Sequence, residues 1–349
     1  MALTDTLADY FGFEAHGTDL RTETLAGLTT FLTMSYIVIV NPAIMTMFPG
    51  DNGKPGVAIQ GYTPGEVQQM LAVVTILSAA VAIFVMAFYA NRPFGLAPGL
   101  GLNAFFAFTV VGAMGIPWQT ALAAVVVEGI VFIILTAIGA REYIINLFPV
   151  PVKFAVGTGI GAFLAIIGLE EMHVVVADPA TYVTLGGVAS DPVAILSVIG
   201  LFVTLALHAR GVRGSIIIGI LLTAAAGWLA TMVNLVPAGV LAPESMPGAQ
   251  YDITPLVGAF LSGFADVEAF TFALVVFTFF FVDFFDTAGT LTGVSQIAGF
   301  LDDEGDLPEI EKPLLADAIG TTVGGMIGTS TVTTYIESAT GVEEGGRTG

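Results

Sequence analysis

Two aspartates stand three positions apart in the middle of a long apolar stretch. Between Glu268 and Asp302 the only charged residues are Asp283 and Asp286. On a helix, positions 283, 286, 287 and 290 share one stripe, so two carboxylates and the hydroxyls of Thr287 and Thr290 look the same way. A charge at mid-bilayer costs about 2.5–3.5 kcal/mol on insertion scales, so acids kept there mark a functional site ahead of a structural cross-link between helices. A further acid, Glu337, is the only charge between Asp317 and Glu343 and follows the piece Thr329-Ser-Thr-Val-Thr-Thr-Tyr335. Asn103 holds the comparable place after Gly95-Leu-Ala-Pro-Gly-Leu-Gly-Leu102. An ionised carboxylate only accepts hydrogen bonds, whereas an asparagine amide both donates and accepts. Together they can read a planar heterocycle bearing N–H donors and a carbonyl. A guanine-like edge would suit one carboxylate in bidentate fashion. Asn103 is equally well placed to cap a helix. Glu128, inside another apolar run, reads as a hydrogen-bond partner between helices with a supporting role. Acids at membrane depth are also the usual members of proton relays, and Asp283, Asp286 and Glu337 are candidates for that work.

The elements that must position these groups are membrane segments. The chain of 349 residues is 55% hydrophobic and 11% charged, with a mean hydropathy of +0.89, against the roughly 25% charged residues of a soluble domain. Several long apolar runs exclude both a single anchor and a cleaved signal peptide. There is no cysteine, which excludes disulfides and thiolate metal sites. The three histidines, His16, His173 and His208, have no metal-ligand spacing, so neither a metal nor a cofactor is expected. The net charge of −20 collects between the runs, notably in Asp302-Asp-Glu-Gly-Asp306. Solvated acidic loops of this kind suit a protein facing concentrated salt, which screens their repulsion.

Ten runs can be drawn: Leu25–Phe48, Val67–Ala90, Pro93–Gly115, Ile116–Ala140, Phe154–Leu169, Val193–His208, Gly214–Leu235, Ala269–Thr292, Pro313–Gly328 and Thr329–Gly345. An acidic loop follows the fifth and a proline-rich loop (Pro237, Pro243, Pro247, Pro255) follows the seventh. With a cytoplasmic N-terminus and every run crossing, Arg21, Arg92, Arg141, Lys153, Arg210, Arg213, Lys312 and Arg347 fall inside and only Lys54 outside, as the positive-inside rule requires. Two runs cannot be plain helices. The last two crossings share residues 313–346, fewer than the roughly 40 that two helices need, so part must be extended. The threonine-rich piece is the extended candidate because its residues are β-branched. The third run carries glycines and a proline where an unbroken helix is disfavoured. Irregular backbone survives at membrane depth only where protein or a cavity surrounds it. A pair of broken segments in two halves of a chain points to a binding site between inverted repeats. In the ninth run, Gly320, Gly324 and Gly328 make a small-residue stripe suited to close helix packing.

Three stretches carry a family resemblance. Gly95-Leu-Ala-Pro-Gly-Leu-Gly-Leu-Asn103-Ala-Phe-Phe-Ala-Phe108 resembles the third-segment motif of the AzgA-like purine permeases of the nucleobase–ascorbate transporter superfamily. Phe281-Val-Asp283-Phe-Phe-Asp286-Thr-Ala-Gly-Thr290 and Gly328-Thr-Ser-Thr-Val-Thr-Thr-Tyr-Ile-Glu337-Ser-Ala-Thr-Gly341, with Gly345-Gly-Arg347-Thr-Gly349, resemble that family's eighth and tenth segments, and the opening from Arg21 is similar. The resemblance implies an all-α polytopic membrane protein with a uracil-permease-like inverted-repeat fold and short extended pieces in segments 3 and 10. It implies a core domain from residues 1–140 and 263–349 and a gate domain from 141–262. About ten of fourteen segments would be present, the last four lying beyond Gly349. By the same resemblance Asp283, Glu337 and Asn103 hold the nucleobase and Asp286 is a coupling or structural acid. The implied activity is proton-coupled uptake of hypoxanthine, guanine or adenine at the cell membrane, not enzyme catalysis. The implied partners are a purine nucleobase, protons, the lipid bilayer and a second copy of the chain, with no nucleic acid. Alternatives are a transporter of the same fold for uracil, xanthine, ascorbate or an anion, or an intramembrane aspartyl protease suggested by Asp286-Thr-Ala-Gly. The protease reading needs two aspartates sharing a proton, and the neighbour here lies on the same helix.

Overall fold

The computed structural model describes residues 3–46, 56–140, 143–144, 149–212, 214–242, 248–265, 268–303 and 305–349. Lys54, Arg141, Arg213, Pro243, Pro247, Glu304 and the end of the first run lie outside the described residues, as does the side chain of Lys153. The chain forms two compact units, one of residues 1–157 with 249–349 and one of residues 158–248.

The larger unit begins with two short helices, α1 (Leu3–Phe11) and α2 (Phe13–His16), followed by α3 (Leu20–Met34) and α4 (Ile37–Thr46). Asp19 caps α3 by accepting from Thr22 N, and this hydrogen bond holds its carboxyl below the usual carboxylate range. The first apolar run is thus two helices broken at Ser35-Tyr36 within one stretch, 20–46, long and apolar enough for the single crossing that was expected. Tyr36 is buried at the break. α5 (Pro64–Val85) opens with a capping box between Thr63 and Glu66 and ends in a π turn, Met86–Ala90. Strand β1 (Leu96–Pro98) then leads into α6 (Leu100–Ala104), which continues as a π-helix over Phe105–Ala113. α7 (Trp118–Ala137) follows, and α8 (Val150–Glu171) leads into the smaller unit.

In the smaller unit the expected acidic loop contains a hairpin, β2 (Val175–Asp178) and β3 (Tyr182–Leu185). Asp178 stabilises its turn by accepting from the N–H groups of Ala180 and Thr181 at 2.8 Å. Helices α9 (Pro192–Ala209) and α10 (Ser215–Met232) pack through reciprocal glycine–threonine contacts. A Cβ at Gly200 would strike Thr223, and one at Gly219 would strike Thr204.

The larger unit resumes with a 3-10 turn at Ala259–Phe264, within the stretch read as a loop before the eighth run. It continues with α11 (Ala269–Ala298), α12 (Glu311–Ile327), β4 (Val332–Thr334) and α13 (Ser338–Glu343). α11 is capped by Glu268, which accepts from Phe270 N and Thr271 N, and is closed by Gly299 in the left-handed conformation. Its 30 residues span about 45 Å. Among the described residues, six helices are long and apolar enough to cross a membrane: 20–46, 64–90, 118–137, 192–209, 215–232 and 269–298. The core around the acids is built from Ala82, Met86, Phe94, Phe132, Phe284 and Leu314.

β1 and β4 pair antiparallel, Leu96 opposite Thr334, Ala97 opposite Thr333 and Pro98 opposite Val332. At one end of the unit Arg347 N donates to Glu23, Gly349 N to Asn91, and Arg92 to Pro308 O. At the other end Trp118 Nε1 donates to Ala58 O, Gln250 N to Gln69, and Gly258 N to Met326 O. The third run travels from the Arg92 end through β1 and α6 to the Trp118 end. The last run travels the opposite way through β4 and α13. Each run therefore has a strand followed by a helix, inverted relative to the other, and both strands meet midway. The extended pieces let α12 and the last run leave and return to the Arg92 end within the short length available.

At Gly129, α7 lies directly against the hydroxyl and backbone of Thr322 on α12. A Cβ there would sit 2.7 Å from Thr322 N and 2.9 Å from Thr322 Cα. Gly129→Val should therefore lower the melting temperature in detergent, overpacking of this kind costing about 1–3 kcal/mol. Gly161→Ala in α8, where a Cβ meets nothing within 4 Å among the described residues, should leave it unchanged or raise it. Equal melting of the two variants would remove close α7–α12 packing as a constraint.

Candidate functional site

The extended pieces create the site because their backbone must find partners inside the protein. Tyr335 N donates to Gly95 O and Gly99 N to Thr331 O, closing the two ends of the short ladder. The outer edge of β4 is held by side chains. Thr321 Oγ1 donates to Val332 O at 2.9 Å and accepts from Val332 N at 3.3 Å. Asp317 Oδ1 accepts from Thr334 N at 3.2 Å. The hydroxyls are held as well: Thr331 Oγ1 donates to Glu128 Oε2 at 2.9 Å, and Thr333 Oγ1 to Asp286 Oδ2 at 3.4 Å. Residues 331–334 are thus gripped one by one from α7, α11 and α12.

Asn103 is fully buried, in the first turns of the helix that follows β1. Gly99 occupies the cap position, so the side chain of Asn103 does no capping. It accepts instead from Ser330 Oγ, and its Nδ2 donor has no acceptor among the described residues. Asn41 of α4 is a second buried amide beside the same strand, donating to Thr75 Oγ1 at 2.7 Å and Thr329 Oγ1 at 3.0 Å.

Glu337 is half-buried at the start of α13, and Tyr36 donates to its Oε1 at 2.7 Å. Tyr335 is anchored by its hydroxyl to Pro98 O at 2.5 Å. Asp286 of α11 accepts from Thr333, and Glu337 comes three residues after the end of β4, so acids from α11 and from the last run both border this strand.

The α11 stripe divides. Asp283 and Thr287 are fully buried, while Asp286 and Thr290 are half-buried. Thr287 Oγ1 lies 3.0 Å from Asp283 Oδ1 and 3.2 Å from Asp317 Oδ2. Asp283 thus looks toward α12 and Asp286 toward β4. The structure brings Asn103, Glu128, Asp286 and Glu337 around β1 and β4 and places Asp283 one layer behind. Sequence reasoning missed Tyr36, Ser330 and Asp317. Asp317 had a signal of its own, being the only charge between Lys312 and Glu337.

This crossing of two strands, each followed by an inverted helix inside a membrane bundle, defines a carrier-type membrane protein. The transmembrane domain of the cyanobacterial bicarbonate transporter BicA has the same fold: TM-score 0.59 at 13% identity, over 94% of this chain and 78% of that one. The model of the permease family that includes the xanthine and uracil permeases matches residues 21–348, and the chain belongs to that family. It is 39% identical over 339 residues to the adenine permease AdeP of Escherichia coli (strain K12), covering 97% of this chain and 70% of that one. It is 40% identical over 340 residues to the guanine/hypoxanthine permease PbuG of Bacillus subtilis (strain 168), covering 97% and 74%. The resemblance read from the three motifs holds, and the chain is a multi-pass membrane permease, not an aspartyl protease.

The double grip of Thr321 on Val332 gives a direct test of the site's architecture. Thr321→Val keeps the shape but leaves a buried N–H and C=O without their hydroxyl partner, each costing about 1–3 kcal/mol. The melting temperature in detergent should fall by several degrees for Thr321→Val and stay near wild type for Thr321→Ser. If the valine variant melts like wild type, side-chain support of β4 is dispensable.

Proposed function

We propose that this permease takes up purine nucleobases such as hypoxanthine, guanine or adenine across the cell membrane, coupled to protons. The observation that carries the reading is the donor–acceptor set at the crossing. Asn103 Nδ2 is a buried donor with no acceptor among the described residues, and Asp286 and Glu337 are half-buried acceptors. A purine offers the complement, a ring carbonyl or nitrogen for the amide and N–H groups for the carboxylates. The relatives' names, an adenine permease and a guanine/hypoxanthine permease, support the same substrate class.

In this reading Glu337, held by Tyr36, and Asn103 contact the base directly. Of the α11 acids, Asp286 faces the substrate and Asp283 stands behind it with Thr287. Thr290 extends the half-buried stripe, and Glu128 fixes Thr331. Residues 1–140 and 263–349 act as the core that carries the base, and residues 141–262 as the gate. Arg92, Lys312 and Arg347 belong to one end of the larger unit, which supports a cytoplasmic position for that end and for the N-terminus. A second copy of the chain is the remaining partner in this proposal.

Glu337→Gln keeps an oxygen for Tyr36 but removes the charge. Nucleobase binding should weaken by about 10–100-fold, the loss of a charge-assisted hydrogen bond of about 1.5–3 kcal/mol, with the melting temperature unchanged. Equilibrium binding of labelled hypoxanthine, competed by adenine, guanine, xanthine and uracil, measures both the loss and the preference. Unchanged affinity would remove Glu337 from the site, and competition by uracil alone would overturn the purine reading.

A further inference from the structure

The cluster behind the substrate position contains a hydrogen-bond count that does not close unless a proton is present. Thr287 Oγ1 is 3.0 Å from Asp283 Oδ1 and 3.2 Å from Asp317 Oδ2. All three residues are fully buried. A hydroxyl has one hydrogen to give, and an ionised carboxylate has none. With both acids ionised, one hydrogen would have to be shared between two like-charged acceptors, a three-centre contact that leaves the pair one hydrogen short. Both contacts become hydrogen bonds when one acid is protonated: it donates to Thr287 Oγ1, and Thr287 donates to the other acid. A concerted shift of the two hydrogens interchanges the acids' roles.

From this geometry we propose that Asp317 and Asp283, bridged by Thr287, hold the one proton that travels with each nucleobase. The proposal rests on the proton-coupled reading above and identifies where the proton sits. Asp317 is a positioning residue for transport, since nothing places it against the substrate. Its second oxygen accepts from Thr334 N at 3.2 Å, so the same carboxyl that stores the proton also holds β4. Glu337 follows Thr334 by three positions. The other acids on the surrounding elements are Asp286 on α11, within electrostatic reach of Asp317, Glu128 on α7, bonded to Thr331, and Glu337 beyond Tyr335.

The coupling step is a simple proton transfer. On release, one carboxylic O–H bond breaks, the proton passes to water on the facing side, and both acids are left ionised. Thr287 can then satisfy only one of them, and the two like charges repel across the α11–α12 contact. The repulsion displaces Asp317, and the strand bonded to it through Thr334 N moves with it, carrying the stretch that holds Glu337. On uptake from the other side the acid O–H re-forms and the three-residue bridge closes.

Asp317→Asn isolates this role. The amide NH2 donates to Thr287 as the acid O–H would, and its oxygen still accepts from Thr334 N, so the variant imitates the protonated state permanently. The protein is reconstituted in liposomes with a trapped pH-sensitive dye, and labelled hypoxanthine counterflow is measured alongside the dye signal. Wild type should show counterflow and a proton signal with each pulse of hypoxanthine. Asp317→Asn should keep counterflow within about threefold of wild type and lose both the proton signal and stimulation by an imposed pH gradient. A wild-type proton signal per hypoxanthine in Asp317→Asn overturns the proposal, and so does a folded variant without counterflow. Should Asp317→Asn fold poorly, Thr287→Val and Thr287→Ser decide: valine should abolish the proton signal and serine should restore it. A valine variant with a normal signal overturns the proposal. Wild-type counterflow with no proton signal is a different failure, which sinks proton coupling itself.

Discussion

Two stretches of extended backbone in the middle of a membrane bundle set the terms for the rest of the structure. A helix satisfies its own N–H and C=O groups, but an extended segment cannot, and the bilayer offers no water to do so. β1 and β4 satisfy half of each other's groups by pairing over three residues. Gly95 N finds Ser338 Oγ at 2.9 Å, and the outer edge of β4 finds Thr321 and Asp317. An unpaired polar group in such surroundings costs several kcal/mol. The helices that supply these partners therefore have to come close. The bare surface of Gly129 against Thr322, and the small residues Gly320 and Gly324 facing Val332, are what allow it.

The same constraint explains why acids serve as structural grips here. Hydroxyls and amides could hold β4 as well, and Thr321 does. A carboxylate differs in that its hydrogen-bonding capacity changes when it gains or loses a proton. Residues 331–334 are held at three of their contacts by Glu128, Asp286 and Asp317, so in the proposed scheme the fit of this stretch depends on how many protons the cluster carries. Glu337 lies three residues beyond the last of these contacts. A ligand held by Glu337 would bias one strand arrangement over another only if it bound the two with different affinity, which is the requirement for ligand and proton to act on one equilibrium.

Much of this was legible from residue types. The broken third and tenth runs could be placed because glycine, proline and β-branched residues act through local backbone preferences. The return crossing could be inferred to be part extended from length alone. The pairing of Leu96 with Thr334 could not, because it joins residues far apart in sequence and nothing local encodes the partner. The break at Ser35-Tyr36 contains neither glycine nor proline, and Pro42 sits inside α4 without ending it, so the first run read as one helix. Asp317 was overlooked for a different reason. It lies five residues past Lys312, close to the end of its helix in sequence, yet it is fully buried because β4 returns alongside it. Depth in a bundle with re-entrant strands is not proportional to distance from the last charged loop.

The division of labour on α11 also follows from helix geometry finer than a shared stripe. Successive residues turn by about 100°, so Thr287 sits about 40° from Asp283 while Asp286 sits about 60° to the other side. On an isolated helix all three belong to one face. Here the face is met by two neighbours, α12 and β4, and the boundary between them falls within that arc. Asp283 and Thr287 turn to α12, where they meet Asp317, and Asp286 turns to Thr333. Two carboxylates one turn apart thereby enter different environments, one sealed beside another acid and one half-open at the crossing. Spacing places acids together; the elements packed against them decide the surroundings that each one meets.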